Sequence, residues 1–304
     1  MRQDRMVEDR GPHVGRHSTR ERLLQGLPVV ERKLELAGVS TVMLEGGGGP
    51  PLVLLHGPGE HALKWGRVIP ALVRDHRVVA PDLPGHGSST VRGDPLSADR
   101  VLAWLGELLD ATCTTPPVLV GQVVGGAVAA RLAAGGRPLA HLVLVDSLGL
   151  APFQPTPEFG VAVAAFLAEP DELTFDRLWQ RCAFDLGRLQ AGMGQQWHAY
   201  AAYTLERVRS PEARAAVHQL MEQFGFPGIP AEELARIEVP TTLIWGRQDQ
   251  ATALGVAEEA SARYGWPLRV VEDSGDDPPF EQPERFLEAL HAALAPSRGV
   301  TAGG

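Results

Sequence analysis

Two aspartates in the C-terminal part of the chain, Asp249 and Asp276, have side chains that could do chemistry. Each follows a short apolar run, Asp249 after Thr242–Trp245 and Asp276 after Leu268–Val271. Carboxyl groups donate and accept protons, but a carboxylate with its ordinary pKa of about 4 is a poor acceptor for an alcohol proton at neutral pH. We therefore expect these residues to serve either acid–base chemistry at a shifted pKa or ligand binding.

Short apolar runs, separated by longer amphipathic segments, are the elements that would position these carboxyls. Near-continuous apolar runs are typical of parallel strands that are buried on both faces. The predicted strands are Leu52–Leu55, Val78–Ala80, Val118–Val120, Leu142–Val145, Thr242–Trp245 and Leu268–Val271, preceded by a hairpin of Val29–Leu36 and Val39–Glu45. Helices are predicted over residues 61–74, 97–112, 124–134, 251–264 and 280–294. This alternation predicts an α/β fold, an open and mostly parallel doubly wound sheet that binds its ligand at the carboxyl ends of the strands.

A long gap interrupts the alternation between Ser147 and Thr241. It is rich in proline near both ends and contains helical runs at residues 171–184 and 195–208, so it predicts a helical cap inserted between two strands of the sheet. The predicted domains are a core of residues 25–150 and 237–297, a helical cap of residues 151–236, and flexible tails of residues 1–24 and 298–304.

Composition excludes several classes of protein. The chain has 304 residues, of which 44% are hydrophobic and 21% charged, and this is enough to bury a large core. Its longest apolar stretches fall well short of the roughly 20 residues that a membrane-spanning helix needs. A net charge of -9 would repel nucleic acid, because non-specific binding depends on clustered Lys and Arg that neutralise phosphates. We expect no membrane span and no nucleic-acid partner.

The sequence predicts no metal centre and no cofactor. The two cysteines, Cys113 and Cys182, are too few for a disulfide framework, and neither lies in a metal-type cluster with histidine. Residues 1–24 mix basic and acidic residues without the apolar region of a secretion signal, so we expect a cytoplasmic protein. A homodimer is compatible with the sequence, which carries no signal for the oligomeric state.

Five segments, in their order along the chain, resemble the α/β-hydrolase fold family, and the resemblance runs from about Leu27 to Leu294. The segments read PLVLLHGPGE, HRVVAPDLPGHGSS, PPVLVGQVVGGAVAARLA, TTLIWGRQD and SGDDPPFEQPERF. They resemble the oxyanion-loop strand, the next strand and its turn, the nucleophile elbow with its helix, the strand of the catalytic acid, and the loop of the catalytic histidine. The resemblance implies the α/β-hydrolase fold with a cap in the family's usual place.

The resemblance fails at two of the three catalytic positions. The family's elbow reads G-x-S-x-G, whereas residues 121–125 read GQVVG, so that Val123 occupies the position of the nucleophile. Asp276 occupies the position of the histidine base, and only the acid, Asp249, matches the family. Triad residues act as a unit, so the loss of the nucleophile and the base predicts the loss of ordinary serine-hydrolase activity.

The resemblance also implies an oxyanion loop at Gly57, Pro58 and Gly59, with the backbone N–H of Val124 as the partner donor. Pro58 has no N–H, so Gly59 is the alternative donor in the loop. Ser147 ends a neighbouring strand without the sharp, Gly-flanked turn of an elbow. We interpret Ser147 as part of a structural turn rather than as a replacement nucleophile.

If the geometry of the family holds, Asp249 and Asp276 project toward each other at one end of the pocket. Two carboxyls in close contact share a proton, which raises one apparent pKa. Such a pair could act as a general acid or base, cradle an amine or hold a metal weakly. The structural alternative is that Asp276 accepts hydrogen bonds from loop amides while Asp249 pairs with Arg247.

Val123 and Val124 would make the floor of the pocket apolar, which favours a small hydrophobic or aromatic ligand. The candidates for substrate binding come from the loop after the oxyanion turn and from one stretch of the cap. They are Glu60, His61, Trp197, Tyr200 and Tyr203. For each of them, plain packing within the loop or the cap is the alternative.

These residues lead to one leading hypothesis and two rivals. The first is an enzyme of the hydrolase-fold family that has left the serine mechanism and uses Asp276, with or without Asp249, for proton transfer on a small apolar organic molecule, in a hydrolase- or lyase-like reaction. The second is a catalytically inert relative that binds a ligand or a partner. The third is a hydrolase with an unrecognised nucleophile or an Asp-activated water.

Overall fold

A computed structural model describes residues 18–295 of the chain, and its centre is one mixed β-sheet. The strands run in the order β1-β2-β4-β3-β6-β7-β8-β9, and β5 pairs with β2 at one side. In the described residues the strands are β1 (Val30–Leu36), β2 (Val39–Gly46), β3 (Pro51–Leu55), β4 (Arg77–Pro81), β5 (Thr90–Val91), β6 (Val118–Gln122), β7 (His141–Val145), β8 (Thr241–Gly246) and β9 (Leu268–Val271).

Helices flank the sheet and fill the gap between β7 and β8. The α-helices described are α1 (Thr19–Leu24), α2 (Ile69–Leu72), α3 (Ala98–Thr112), α4 (Val124–Ala134), α5 (Pro157–Ala168), α6 (Glu172–Cys182), α7 (Leu186–Met193), α8 (Gln195–Val208), α9 (Pro211–Leu220), α10 (Ala231–Leu234), α11 (Leu254–Tyr264), α12 (Pro278–Glu281) and α13 (Pro283–Leu294). A 3-10 helix covers Ala62–Arg67 and a π-helical turn covers Met221–Gly225.

The sheet is parallel from β4 to β9, and the hairpin of β1 and β2 joins it antiparallel to β4. All the strands predicted from the apolar runs form. The two-residue strand β5 was not predicted, because two residues are too short to show a periodicity.

Both faces of the central strands are buried, which explains their continuous apolar sequences. In β6 the side chains of Val118 and Val120 pack into one hydrophobic core, while that of Leu119 packs into the other. Successive side chains of a strand point to opposite faces, so a strand covered on both sides needs no polar alternation. The carboxyl ends of β6, β7 and β8 thereby meet at one edge of the sheet, where the candidate site lies.

Residues 151–236, which we call the inserted segment, are helical as the sequence predicts. Helix α6 falls within the predicted run 171–184 and α8 coincides with 195–208. The sequence reading did not identify the other helices of this segment, α5, α7, α9 and α10. Helix α5 is apolar nearly all round, so it shows no amphipathic stripe, and α10 is a single turn.

The start of the described chain corrects the prediction of a flexible tail over residues 1–24. Thr19–Leu24 forms helix α1, which Ser18 and Glu21 cap reciprocally, and Leu23 is buried. A mixture of acidic and basic residues is typical of a solvated tail. Here, however, the side chain of Arg20 is only 11% exposed and pairs with Asp82. The remaining tail predictions, residues 1–17 and 298–304, lie outside the described residues. Among residues 18–295, no helix combines the length and apolar character needed to cross a membrane.

Candidate active site

Val123 lies at the sharp turn between β6 and α4, with backbone angles of φ 48° and ψ -116°. A positive φ is rare for a β-branched residue. The turn is held by backbone hydrogen bonds, since Val123 N–H donates to the oxygen of Val145 at 3.0 Å and the Val123 oxygen accepts from Leu148 N–H at 3.1 Å. The side chain at this turn lines a cavity, and it is an isopropyl group with no atom that can attack a substrate.

Two glycines allow the turn to pack closely. A Cβ atom on Gly121 would lie 2.4 Å from the backbone oxygen of Gly125, and one on Gly125 would lie 2.6 Å from the oxygen of His56. Neither contact is tolerable, so these positions require glycine for steric reasons. The flanking glycines of the motif are thus part of the scaffold.

The cavity beside Val123 has a volume of about 200 Å³ and lies between the strand ends and the inserted segment. Most of its wall is apolar or aromatic, and Trp179 and Tyr200 of the inserted segment contribute to it. The hydrophobic lining residues are Val123, Leu148, Phe153, Phe159, Val163, Phe166, Leu167, Phe175, Leu178, Trp179, Tyr200, Val208, Val217, Met221, Phe226 and Ala251. In the described part of the chain, no serine and no histidine lines this cavity.

Asp276 lines the cavity from the loop between β9 and α12. Its backbone N–H donates to the oxygen of Cys182 at 3.1 Å, and burial together with the charge of Asp276 raises the pKa of the Cys182 thiol. Burial raises the pKa of Asp276 well above the ordinary value for an aspartate, and the negative charges of Asp249 and Asp277 raise it further. Asp276 is therefore a carboxyl whose protonated form is favoured by its surroundings in an apolar cavity.

The neighbouring residue, Asp277, belongs to a buried ion cluster with Lys64 and Glu60. The Lys64 ammonium lies 3.1 Å from Asp277 Oδ2 and 3.0 Å from Glu60 Oε2, and it also donates to the side-chain oxygen of Gln122. Burial alone would lower the pKa of Lys64, but the charges of Asp277 and Glu60 outweigh it and raise the pKa. Lys64 is thus a fixed cation behind the cavity wall.

Glu60 lies directly beside the turn at Val123. Its Oε2 accepts a hydrogen bond of 2.7 Å from the backbone N–H of Gly57, the first residue of the predicted oxyanion loop. Burial raises the pKa of Glu60, Lys64 opposes that rise, and the charge of Asp277 adds to it. The protein's own carboxyl thus occupies an N–H of the loop that the resemblance assigns to a substrate oxyanion.

Of the residues predicted to form the oxyanion site, the loop residues line the cavity and Val124 lies in the core. Gly57, Pro58 and Gly59 line the cavity, and Gly59 has a φ of 76°. Val124 begins α4 and is fully buried, but it does not contribute to the cavity wall.

Asp249 differs from its predicted arrangement, because it faces Asp146 more directly than Asp276. Asp249 Oδ1 accepts from the N–H groups of Ala251 and Thr252 at 2.7 and 2.8 Å, and the Asp146 carboxyl is hydrogen-bonded to it. In the described residues, Asp146 Oδ2 and Asp249 Oδ2 accept no hydrogen bond from a donor group, so a bond between the two carboxyls requires that one of them holds a proton. Burial raises the pKa of Asp249 to about 7 and, together with the charge of Asp249, raises that of Asp146 well above its ordinary value.

These contacts revise the expected carboxyl pair. Asp146 directly follows β7, and its side chain interacts with Asp249 in the turn after β8, so a proton shared by two carboxyls would lie between these two residues. Asp276 interacts with Asp249 through charge. The structural alternative for Asp249 also fails, because Arg247 forms its ion pair with Glu272 at 2.6 Å.

Of the five candidates for substrate binding, Glu60 and Tyr200 line the cavity, and His61, Trp197 and Tyr203 do not. His61 lies behind the wall, with Nε2 3.2 Å from Thr204 Oγ1 and its ring between two tyrosines. Trp197 packs edge-on against Trp179, with ring centroids 5.1 Å apart. Helical spacing alone could not separate the cavity face of α8 from the faces that pack in the core.

Ser147 does not supply a nucleophile to the cavity. Its side chain is fully buried, and its Oγ donates to the backbone oxygen of Leu148 at 2.8 Å. A Cβ added to Gly126 would lie 2.2 Å from Ser147 Oγ, so Ser147 packs against the start of α4. The interpretation of Ser147 as a structural residue agrees with this position.

Comparison with known proteins assigns the chain to a family. Residues 52–289 match the profile of the alpha/beta hydrolase family. The chain belongs to the alpha/beta hydrolase family. This match includes β3, the turn at Val123, the whole inserted segment and the loop of Asp276.

Curated relatives of this alpha/beta hydrolase cover most of its length. It is 28% identical to a pimeloyl-[acyl-carrier protein] methyl ester esterase of Aeromonas hydrophila, over 80% of this chain and 95% of the relative. It is 27% identical to a 2-hydroxy-6-oxo-6-(2'-aminophenyl)hexa-2,4-dienoic acid hydrolase of Metapseudomonas resinovorans, over 90% and 93%. A third relative, the magnesium-chelatase 30 kDa subunit of Rhodobacter capsulatus, is 32% identical over 70% and 75%.

Solved structures share the fold of this alpha/beta hydrolase. The 2-hydroxy-6-oxo-6-phenylhexa-2,4-dienoate hydrolase from Rhodococcus sp. strain RHA1 superposes with a TM-score of 0.76 at 24% identity, covering 88% of this chain and 98% of that structure. A carboxylesterase from Bacillus subtilis gives a TM-score of 0.76 at 19% identity, covering 91% and 96%. At these identities the likeness concerns the fold.

Several residues of the site were not identified from the sequence of this alpha/beta hydrolase. These residues come from different elements and meet at the site: Lys64, Gln122, Asp146, Asp277 and Cys182. The doublet Asp276-Asp277 is a visible signal that two carboxyls enter one loop. Lys64 lies four residues after Glu60, the spacing of a helical ion pair, and this could have indicated its partner. In residues 18–295, no group of His, Cys, Asp and Glu is arranged to hold a metal ion.

Proposed function

We propose that this alpha/beta hydrolase is an enzyme that carries out carboxylate acid–base chemistry, hydrolase- or lyase-like, on a small apolar organic molecule. Asp276 is the proton-transfer group, and Val123 is an inert residue in the position of the nucleophile. The observation that carries the proposal is the position of Asp276, a partly buried carboxyl with a raised pKa, on the wall of the same apolar cavity as Val123.

The raised pKa is what makes Asp276 useful. A general acid or base is most effective when its pKa lies near the operating pH, and burial moves a carboxyl in that direction. In hydrolysis, the ionised form of Asp276 would take a proton from water as the water attacks a polarised carbon. The covalent route is closed at this position, because a valine side chain cannot form an acyl intermediate.

The names of the relatives support hydrolysis as the reaction class. One relative is a methyl ester esterase, and another is a hydrolase of an aromatic dienoic acid. The apolar and aromatic wall supports a ligand of similar character, a small molecule with a hydrophobic or aromatic body. The helices of the inserted segment supply most of that wall and would act as a cap over the ligand.

Replacing Asp276 tests the proposal. We expect the wild-type protein to hydrolyse p-nitrophenyl butyrate slowly and Asp276→Asn to lower kcat by about 100-fold, the scale of a lost general base. Asp273→Asn is the matched control, because Asp273 is three residues away, partly exposed and paired with Arg285. Turnover should rise with pH through the raised pKa of Asp276, since the ionised form accepts the proton.

A fluorophosphonate probe separates this mechanism from a hidden serine hydrolase. We expect no labelling of the wild-type protein, because in the described residues no serine lines the cavity. Labelling of any serine, or full turnover by Asp276→Asn, would reject the proposal. A wild-type protein that binds ligands and turns over none of a panel of aryl esters would instead favour the rival, an inert binding protein.

A further inference from the structure

The polar end of the cavity has an excess of hydrogen-bond acceptors. Three carboxyls, those of Glu60, Asp276 and Asp277, line it. The one cation of the cluster, Lys64, is fully buried behind the wall and already contacts Glu60 and Asp277. Among the residues that the structure describes, a ligand in the cavity therefore meets carboxyl groups and no free cation at this end.

Two of the donors at this end are already used within the protein. The N–H of Gly57 donates to Glu60, and Pro58 has no N–H to offer. The side-chain NH₂ of Gln122 donates to the backbone oxygen of Asp276 at 2.9 Å. An oxyanion or a ligand carboxylate would thus have to displace an internal bond to use the N–H of Gly57 or this N–H of Gln122.

One buried acceptor lacks a partner. Asp277 is 2% exposed and lines the cavity, its Oδ2 contacts Lys64, and its Oδ1 has no hydrogen-bond partner among the described residues. A buried carboxylate oxygen without a donor is costly, so a ligand that brings a donor to this point gains the hydrogen bond that the protein lacks.

We propose that the cavity takes organic ammonium ions with an apolar body. The ammonium group would donate to Asp277 and Asp276, and the body would lie against the aromatic wall formed by Trp179 and Tyr200, whose ring faces also attract cations. The inference deepens the proposed function, since it names the substrate class of the same cavity. The ligands of the cavity would be amines that are protonated at neutral pH.

Isothermal titration calorimetry of the whole chain with three isosteric probes tests this inference. The probes are benzylammonium, benzyl alcohol and benzoate at pH 7.5, which share a body that fits the cavity and differ in charge. We expect benzylammonium to bind at least about tenfold more tightly than benzyl alcohol, and benzoate to bind most weakly. Benzylammonium that fails to bind, or that binds no better than either analogue, overturns the inference.

Variants locate the site and separate this inference from the proposed function. Asp276→Asn and Asp277→Asn should each reduce the preference for benzylammonium severalfold, whereas Asp273→Asn should leave it unchanged. Asp276→Asn keeps both ion pairs of Lys64, so it remains informative if Asp277→Asn fails to fold. Because titration needs no turnover, ester hydrolysis that depends on Asp276 without any ammonium preference would sink only this inference. An ammonium preference without turnover would sink only the proposed function.

Discussion

The ionisable side chains around Asp276 lie in different electrostatic surroundings. Lys64 lies between Glu60 and Asp277 and is held as a cation by both. Asp276 forms no ion pair with any cation in residues 18–295, and burial and neighbouring carboxylates raise its pKa. Two neighbouring residues of one loop therefore differ: the carboxyl of Asp277 is paired with the Lys64 ammonium, and the carboxyl of Asp276 can exchange a proton.

The turn at Val123 has the shape of an elbow, so a serine placed there and a histidine placed at position 276 should introduce some of the family's chemistry. We expect the double variant Val123→Ser with Asp276→His to gain labelling by a fluorophosphonate and weak esterase activity, because serine would project into the cavity beside the new imidazole. Mass spectrometry of the labelled protein measures the gain. Val123→Ser alone is the control and should label far less, since it lacks the base.

A folded double variant that stays unlabelled would show that the site cannot hold the triad geometry. Glu60 on the N–H of Gly57 is the internal group that would then stand in the way, because it occupies a donor of the oxyanion loop.

The ends of β7 and β8 are joined by carboxyl groups rather than by a cation. Asp146 follows β7 with a φ of 42°, and its Oδ1 accepts from the N–H of Gly246, the last residue of β8, at 2.8 Å. Asp249, in the turn after β8, bonds to the same side chain. This junction depends on a proton, so its contribution to stability depends on pH.

When the pH is raised from 5 to 8, we expect the free energy of unfolding to fall more for the wild-type protein than for Asp249→Asn. The folded state raises the pKa of Asp249 from its ordinary value of 3.8 to about 7 through burial. The folded protein thus binds the proton more tightly than the unfolded chain, and this contribution is full below pH 3.8 and lost as pH rises through about 7. Each pKa unit corresponds to about 1.4 kcal/mol, so a difference of a few kcal/mol is the upper limit.

Urea unfolding at the two pH values measures this effect. Asparagine keeps the oxygen that accepts from Ala251 and Thr252 but has no titrating proton. Equal losses of stability in both proteins would contradict a titrating carboxyl at position 249.

The strands were predictable because burial on both faces leaves a continuous apolar run, as in Leu52–Leu55 and Leu142–Val145. Helices of the inserted segment were less predictable, because α5 is apolar nearly all round and α7 is short. At the site, Val123 and Asp276 could be placed from local motifs. The partnership of Asp146 with Asp249, and of Lys64 with Asp277, joins residues far apart in the chain, so only the folded sheet reveals it.

At the scale of the whole molecule, helix α1 connects the sheet with the inserted segment. Arg20 Nη1 lies 3.3 Å from Asp82 Oδ2 in the loop after β4 and donates to the hydroxyl of Tyr203 on α8 at 2.8 Å. The same hydroxyl bonds to Ser88 Oγ at 3.0 Å. Tyr203, predicted to face the ligand, therefore serves this connection instead.

Replacing Arg20 should destabilise the protein substantially. We expect Arg20→Ala to lower the free energy of unfolding by about 3 kcal/mol, because it leaves the fully buried Asp82 carboxyl without its cation. The control is Arg92→Ala, which removes an exposed ion pair with Glu35 and should cost less than about 1 kcal/mol. Denaturant titration gives both values, and equal effects would show that the connection contributes no more than a surface pair.

Trp179 gives the molecule an optical property. Its indole ring forms part of the cavity wall and lies against Trp197 and Phe280, whereas Trp65, Trp104 and Trp245 are fully buried in the core and do not reach the cavity. An occupant would alter the polarity around this one ring and leave the buried indoles unchanged. Intrinsic fluorescence can therefore report occupancy without a label, and a library of unmodified compounds can be screened directly against the native chain.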